Sequence, residues 1–529
     1  MTTLPPSPVA PDASSEPTEI VERPLRSARG ETKRQLRGSS LLLVGRFLSL
    51  GINFVTQVLI ARYLSKHDFG IFAYGLAMVS LGEALSTMGL DKGVSRFLPI
   101  YDERGEYRKL FGTLIMVSGT VVGFGAAFLA VAVGLDGFAG GEMRHESGAV
   151  TVLLILICLA PLQSLDDVLM GVFAVFSKPR AIFFRRYVLA PVFRLAAIAF
   201  VIAAGAGVQE LAVGYVLGGV AGIVLYLVML VHLMRADGLS KHFHLRRLEY
   251  PAREVFGFAL PLVVVDLLFV VMNTTNVFML EAFGSTNDVA DYRVVQPAAK
   301  LNLLVMTSFA LLFTPAAARL FARDDRKAIN DLYWNTAVWI AVFSFPVFAL
   351  TFPAAGAVTV GLFGHQYASS APILALLSLG YYFNAALGFN GLTLRVYGMV
   401  KLTVGLSLAV AVLNVLVNLA LIPAYGAVGA GVGTCVTLLL HNVLKQTALR
   451  RTAGISVFDR AHARVYGAIV AATVVIGLPA LLLHPPLVAQ VVLAGLASLA
   501  VVRVSRSELR VSETFPEITR LPFVRRLLS

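Results

Sequence analysis

From about residue 41 onward the chain alternates long apolar runs with short polar interruptions, and the runs are apolar on every face. A helix that is hydrophobic all round belongs in a large core or a bilayer, and about 20 such residues cross the hydrocarbon layer. The pattern predicts spans at about 41–62, 69–90, 111–134, 150–173, 183–204, 210–232, 255–280, 290–314, 331–353, 371–394, 402–422, 426–446, 465–484 and 486–502, fourteen in all. The last two form a tight hairpin around His484-Pro485-Pro486. Residues 1–40 are rich in Pro, Ser, Glu and Arg and lack the apolar core of a signal peptide, which predicts a mostly disordered tail.

Composition agrees with the pattern. The 529 residues are 57% hydrophobic and 14% charged, against about 45–50% and about 25% in soluble proteins. A soluble multidomain enzyme and a disulfide scaffold are both excluded. The net charge is +13, which on a soluble protein suggests nucleic acid. Here the loops explain it. With the N-tail inside, and with cations at span edges assigned to the adjoining loop, 37 of the 44 Lys and Arg fall on the inner side and 3 on the outer. That is the positive-inside distribution, with both termini cytoplasmic in the inner membrane and no nucleic-acid partner.

Segments between spans reach only about 20–22 residues, too short for a catalytic domain. There is no Walker A, HExxH or GxSxG pattern and no Cys/His cluster. Cys158 and Cys435 sit in apolar runs, so no metal or cofactor is expected. The run Gly426-Ala427-Val428-Gly429-Ala430-Gly431-Val432-Gly433 lies in an apolar helix with no preceding strand, where small residues let helices approach closely. Transport remains as the activity, with no catalytic residue.

The chain echoes itself. Tyr63, Ser65, Asp68, Gly70 and Phe72 at the entrance to span 2 recur in step as Phe283, Ser285, Asp288, Ala290 and Tyr292 at the entrance to span 8, offset by 220 without a gap. Six spans separate the copies, so the halves point the same way, as in a parallel repeat about an axis along the membrane normal.

Further segments carry a resemblance: Ala61-Arg62-Tyr63-Leu64-Ser65-Lys66-His67-Asp68-Phe69-Gly70; Gly89-Leu90-Asp91-Lys92-Gly93-Val94-Ser95-Arg96-Phe97-Leu98-Pro99; Gly364-His365-Gln366-Tyr367 through Ala371-Pro372-Ile373-Leu374; and Asn414 to Asn418 followed by Leu421-Ile422-Pro423-Ala424-Tyr425-Gly426. In order and spacing, from about residue 40 to 500, the chain resembles the lipid-linked oligosaccharide flippases of the multidrug/oligosaccharidyl-lipid/polysaccharide exporter superfamily. The resemblance implies an all-α membrane protein with two six-helix lobes around a central cavity, working by alternating access. It implies a polyprenyl-pyrophosphate-linked sugar as cargo. The expected organisation is a tail (1–40), N-lobe (41–232), cytoplasmic linker (233–254), C-lobe (255–446), loop and two-helix hairpin (447–502) and basic tail (503–529).

A charge at mid-bilayer costs at least about 2.5–3.5 kcal/mol and so faces a cavity or a partner. A pyrophosphate head calls for cations, Arg as a bidentate fork and Lys as a point charge. The candidates are Arg46, Arg194, Lys300 and Arg293. Arg46 and Arg293 have snorkelling as the alternative, and Arg194 has pairing with Asp166 or Asp167. Asp266 and Glu83 are candidates for a coupling ion, H⁺ or Na⁺; a static pair with Lys300 and with Arg46, respectively, is the competing reading. Asn53, Gln57, Asn273 and Asn276 are candidates for sugar contacts, against interhelical hydrogen bonding. The expected partners are the lipid-linked oligosaccharide, membrane lipids and polymerase or glycosyltransferase machinery, with the protein itself a monomer. The rivals are a cation-coupled multidrug exporter of the same superfamily and a membrane-embedded glycosyltransferase or ligase.

Overall fold

The computed structural model describes residues 25–135, 143–176, 179–236, 238–456, 462–483 and 485–509. Among the described residues it is all-helical with no strand. The first half comprises α1 (Leu25–Tyr63), α2 (Lys66–Thr87), α3 (Leu90–Glu103), α4 (Tyr107–Gly134), α5 (Ser147–Ile157) and α6 (Leu159–Val175). Next, α7 (Pro179–Ile182) passes through a π-helical stretch, Phe183–Leu189, into α8 (Ala190–Ala204), and α9 (Val208–Ala236) closes the half. The second half has α10 (Ala252–Phe283), α11 (Thr286–Lys300), α12 (Leu304–Ala322), α13 (Arg326–Thr351), α14 (Ala355–Phe363), α15 (Ala371–Ala386), α16 (Asn390–Val396) and α17 (Val400–Ala453). It is followed by α18 (Ala463–Leu482), α19 (Leu487–Val504) and the short α20 (Arg506–Leu509).

Eleven helical stretches among the described residues are long and apolar enough to cross a membrane, and a twelfth, Thr286–Ala310 with Phe313–Ala322, is bent by 46°. The 54-residue α17 enters that number once, yet it is folded back on itself at Gly426. Asn414 bonds Thr437 (3.1 Å) and Ser407 lies 3.4 Å from His441, which fixes two antiparallel arms. The turn rests on Gly426, at φ +51° and ψ −132°, a region essentially open to glycine alone. In the second arm Gly429 lies against the Leu421 carbonyl and Gly433 against Asn418, so the small residues bring the arms together.

Two departures from the expected pattern have physical causes. Helix α1 starts at Leu25, inside the segment read as a disordered tail; residues 1–24 and 510–529 lie outside the described residues, as do Glu142 and His484. The span expected at 371–394 is interrupted between α15 and α16, where Gly388 takes φ +71° and rests on Ala337.

Burial singles out the central helices. Of the most apolar stretch of α2, 67% is buried, against 17% for α1. Helix α11 is likewise buried along most of its length. Helices α2 and α3 run antiparallel to α10: Tyr74 meets Phe278 (5.8 Å between rings), Gly89 lies against the Ala259 carbonyl and Gly93 against Val255. The halves therefore share a seam along α2 and α10. Helix α1 packs on α8 and on the π-helical stretch, where Gly45 admits Phe183 and Tyr187. The α18–α19 hairpin docks on α13, with Ile469, Ile476, Ala494 and Val501 among Val338, Phe345 and Phe348.

The repeated junctions fold alike. Ser65 caps α2 by accepting from the Asp68 amide, and Ser285 caps α11 in a full capping box with Asp288. Asp288 also accepts from the Ala427 amide (2.9 Å), tying the α17 turn to the same end of the bundle, hereafter the capped end. Substituting Gly426→Ala places a methyl group against Asp288 in a backbone region hostile to L side chains, at a cost of about 1–3 kcal/mol. The expected result is a melting temperature several degrees lower in a fluorescence melt of the detergent-solubilised protein; an unchanged melt contradicts this account of the turn.

Candidate functional site

In the first half, six charged residues form one cluster. Arg185 is 4% exposed, bonds Asp166 at 2.5 Å, donates to the Gly222 carbonyl and lies over the Tyr226 ring. Arg186 bonds Asp167 at 2.7 Å. An adjacent acidic pair on α6 thus meets an adjacent basic pair 19 residues later. Neighbouring positions on an α-helix diverge by about 100°; the wider π-helical turn lets both arginines reach back to α6. Glu83 of α2 has Asp167 as its hydrogen-bonding neighbour, with Arg186 and Arg194 in electrostatic reach.

Arg194 is half-buried, 6.0 Å from the Tyr215 ring centroid. It shares a cavity of about 80 Å³ with Gln163, Asp166, Arg185 and Tyr215. Asp166 and Asp167 are paired with Arg185 and Arg186, not with Arg194, whose nearest counter-charges act over a longer range.

The second half is arranged differently. Arg293, Gln296 and Lys300 follow one another around α11, and Arg293 donates to Gln296 at 3.0 Å. Lys300 is exposed although Ala298 and Ala299 beside it are buried. Among the described residues no carboxylate acts on either cation; the charged group acting on Lys300 is Arg293. Arg46 is exposed on α1.

Two ion pairs join the halves. At the capped end Lys66 meets Asp291 at 2.7 Å, and Asp291, 7% exposed, also accepts from Ser369 and Ser370. Around it Arg62 donates to the Gly361 and Leu362 carbonyls, Gln366 donates to the Ala61 carbonyl, and Gly70 packs on the Thr286 backbone. Toward the other end, Asp266 is paired with Lys92 of α3 at 2.5 Å, not with Lys300. Near it Arg96 lies 4.4 Å from the Phe258 ring centroid and Tyr101 donates to Glu254 (3.0 Å). Burial and then that bond push the Tyr101 hydroxyl above the ordinary phenol range, so it remains a donor.

The polar amides divide. Asn276 is buried and bonds Tyr292 (2.7 Å), Thr434 (2.8 Å) and Asn418 (2.7 Å), and Asn418 bonds Asn414 (3.0 Å). The bonds of Asn276 are interhelical and lie inside the second half. Asn53 donates to Ser49 of its own helix. Gln57 is half-buried and Asn273 exposed. Sequence reasoning missed Arg185, Arg186, Lys92, Lys66 and Asp291. The first two were assigned to an inner loop; the doublet-to-doublet spacing from Asp166-Asp167 was their signal.

An all-helical bundle with this many apolar spans, and with its charges gathered between helices, defines the class: a multi-pass protein of the inner membrane. The polysaccharide biosynthesis protein family model matches residues 35–313, more than half of the chain, and the chain belongs to that family. An uncharacterized membrane protein of Methanocaldococcus jannaschii is 23% identical over 416 residues, covering 76% of this chain and 81% of that protein. The lipid II flippase MurJ of Bacillus subtilis is 22% identical over 473 residues, covering 80% and 84%. A solved structure of a lipid II flippase MurJ in an inward closed conformation superposes with a TM-score of 0.64 at 13% identity, covering 90% of this chain and all of that one; it shares the fold. The relatives whose names state an activity are flippases.

The Lys66–Asp291 pair is largely buried at 23% and 10% side-chain exposure. Removing one partner from such a pair costs up to about 3–5 kcal/mol by stranding the other. Lys66→Met is therefore expected to lower the melting temperature more than the double change Lys66→Met/Asp291→Asn, read on the purified protein. Equal losses contradict a buried pair at the seam.

Proposed function

We propose that the chain is a flippase that carries a lipid-linked saccharide, specifically a polyprenyl-pyrophosphate-linked oligosaccharide, from the cytoplasmic to the outer leaflet for surface polysaccharide biosynthesis. In this reading fourteen spans leave both termini cytoplasmic, and the capped end faces outward. Residues 41–232 and 255–446 are the two lobes, and the α18–α19 hairpin is an appendix. The protein works as a monomer beside polymerase or glycosyltransferase machinery.

The observation that carries the reading is the unneutralised pair Arg293 and Lys300 on central α11. A cation without a counter-ion is costly in a low-dielectric setting, and a diphosphate head supplies the missing charge. Arg46 supports it by depth. Counting from the capped end at about 1.5 Å per residue, Arg46 lies about 25 Å along α1 and Lys300 about 21 Å along α11. Both are exposed. The family and the flippase name of a relative point the same way.

Alternating access follows from the two ion pairs. Opening outward requires Lys66 to leave Asp291; widening the other end requires Lys92 to leave Asp266. Glu83 with Asp167 is the site where a proton would bias that exchange. The rival, a cation-coupled drug exporter, would carry acids facing its cargo instead of Arg293 and Lys300.

Deleting the gene in its native host is expected to trap an intact lipid-linked oligosaccharide in the inner leaflet. Restored with Lys300→Gln or Arg293→Gln, flipping falls by at least about tenfold, the equivalent of about 1.4 kcal/mol. Arg194→Gln mainly lowers thermal stability. An unchanged lipid-sugar pool after deletion overturns the flippase reading.

A further inference from the structure

The second half holds another pair of cations without acids. Arg395 lies in the last turn of α16. Gly391, one turn earlier, shares its face, and the Lys445 side chain of α17 runs over that glycine: a Cβ there would lie 3.6 Å from Lys445 Cδ and 4.0 Å from Nζ. Arg395 acts electrostatically on Lys445, and Lys445 acts on His441 one turn away. Ser407 of the first α17 arm lies 3.4 Å from His441 Nε2. Lys445 and His441 are half-buried and Arg395 is exposed. Among the described residues no carboxylate acts on Lys445 or His441.

The contrast with the first half decides the meaning. There Arg185 and Arg186 each hold a carboxylate within 2.7 Å. Arg395 within electrostatic reach of Lys445 raises the energy of both, more so where water is scarce. What the cleft presents is donors: a guanidinium fork, an ammonium and an imidazole, while Ser407 donates its hydroxyl hydrogen to the Thr403 carbonyl. That set fits an oxyanion of the phosphate class. The cleft lies far from the capped end. Gly426, beside Asp288, marks that end, and Lys445 is 19 residues further along, about 28 Å at helical rise.

We infer that Arg395, Lys445 and His441 form a second anion site, which takes the phosphate-class headgroup of a membrane lipid at the cytoplasmic end, before it reaches Lys300 and Arg293. The inference rests on the flippase reading for its orientation and its cargo. It adds a loading site at a different place in the fold.

The test uses the full-length protein in phosphatidylcholine nanodiscs containing undecaprenyl pyrophosphate, with inorganic pyrophosphate as a soluble competitor. Arg395→Gln/Lys445→Gln is expected to weaken retention of the lipid by at least about tenfold, with inorganic pyrophosphate competing in the wild type. Arg395→Glu places a carboxylate beside Lys445; it is expected to keep or raise the melting temperature and to abolish retention, which separates a lost site from a lost fold. Unchanged retention in either variant overturns the site. Binding of inorganic pyrophosphate without the lipid, or displacement by phosphatidylglycerol at equal mole fraction, also overturns the assignment. Lys300→Gln/Arg293→Gln distinguishes the two readings. Loss of flipping there, with Arg395→Gln/Lys445→Gln retaining lipid, leaves the flippase and removes the loading site. The reverse result removes the central cations and leaves the cleft.

Discussion

A bilayer offers no water to a buried charge, and that single constraint orders this structure. Every charged group among the apolar helices must be answered by the protein or by what the protein binds. In the first half the protein answers. Asp166 and Asp167 meet Arg185 and Arg186 at 2.5 and 2.7 Å, and the local helix widens into a π-helical stretch to make the geometry possible. In the second half Lys300 and Lys445 each have an arginine in electrostatic reach, while the buried polar side chains around Asn276 satisfy one another. The halves therefore share a topology at their capped junctions and differ in charge.

The seam between them combines a shared apolar core with polar ties. Ile71, Tyr74 and Met78 of α2 belong to one hydrophobic cluster with Val277 and Leu280 of α10 and Val289 and Val295 of α11. Glycines at 70, 89 and 93 bring backbones and side chains close, and two ion pairs cross it, Lys66–Asp291 at the capped end and Lys92–Asp266 at the middle of α10. Ion pairs and backbone contacts of this kind have discrete made and broken states, which suits a bundle that rocks between packed arrangements. The capped-end tie is the more buried of the two. Asp291 takes bonds from three side chains, whereas the Lys92 and Asp266 side chains are 40% and 34% exposed.

Much of the fold was legible in the sequence because membrane spans are written locally. Apolar run length placed the helices to within a few residues, and the Ser-x-x-Asp signature of a capped helix was visible at both copies of the repeat. Failures came where tertiary geometry decides. Nothing in an apolar run says that Asp266 turns to α3 instead of to Lys300, since the partner is 174 residues away. Arg185 and Arg186 looked like inner-loop cations because positive charge near a span end is the usual loop signal, and their burial depends on a helix widening that periodicity does not encode. The span at 371–394 read as continuous because Gly388 carries no local sign that it must bend against Ala337. The glycine run after Pro423 was read correctly as a packing device, but its first member is the pivot of a hairpin.

The unequal charge of two similarly folded halves bears on how cargo is held through a cycle. If both halves carried bare cations, their mutual repulsion would hold an empty cavity open, and closing it without cargo would be costly. With Arg185 and Arg186 each tied to a carboxylate, that repulsion is reduced, although Arg46 and Arg194 remain in the first half. In the proposed cycle an anionic head is held mainly by the second half, on α11 and in the α16–α17 cleft. It can stay bound while the first half moves away at either end. Cargo release then depends on hydration of one wall at the open end, where water screens Arg293 and Lys300, and no ion pair on the other wall need be disturbed. In the proposed cycle the internal pairing of Arg185 and Arg186 is thus as much a part of the transport chemistry as the cations of the second half.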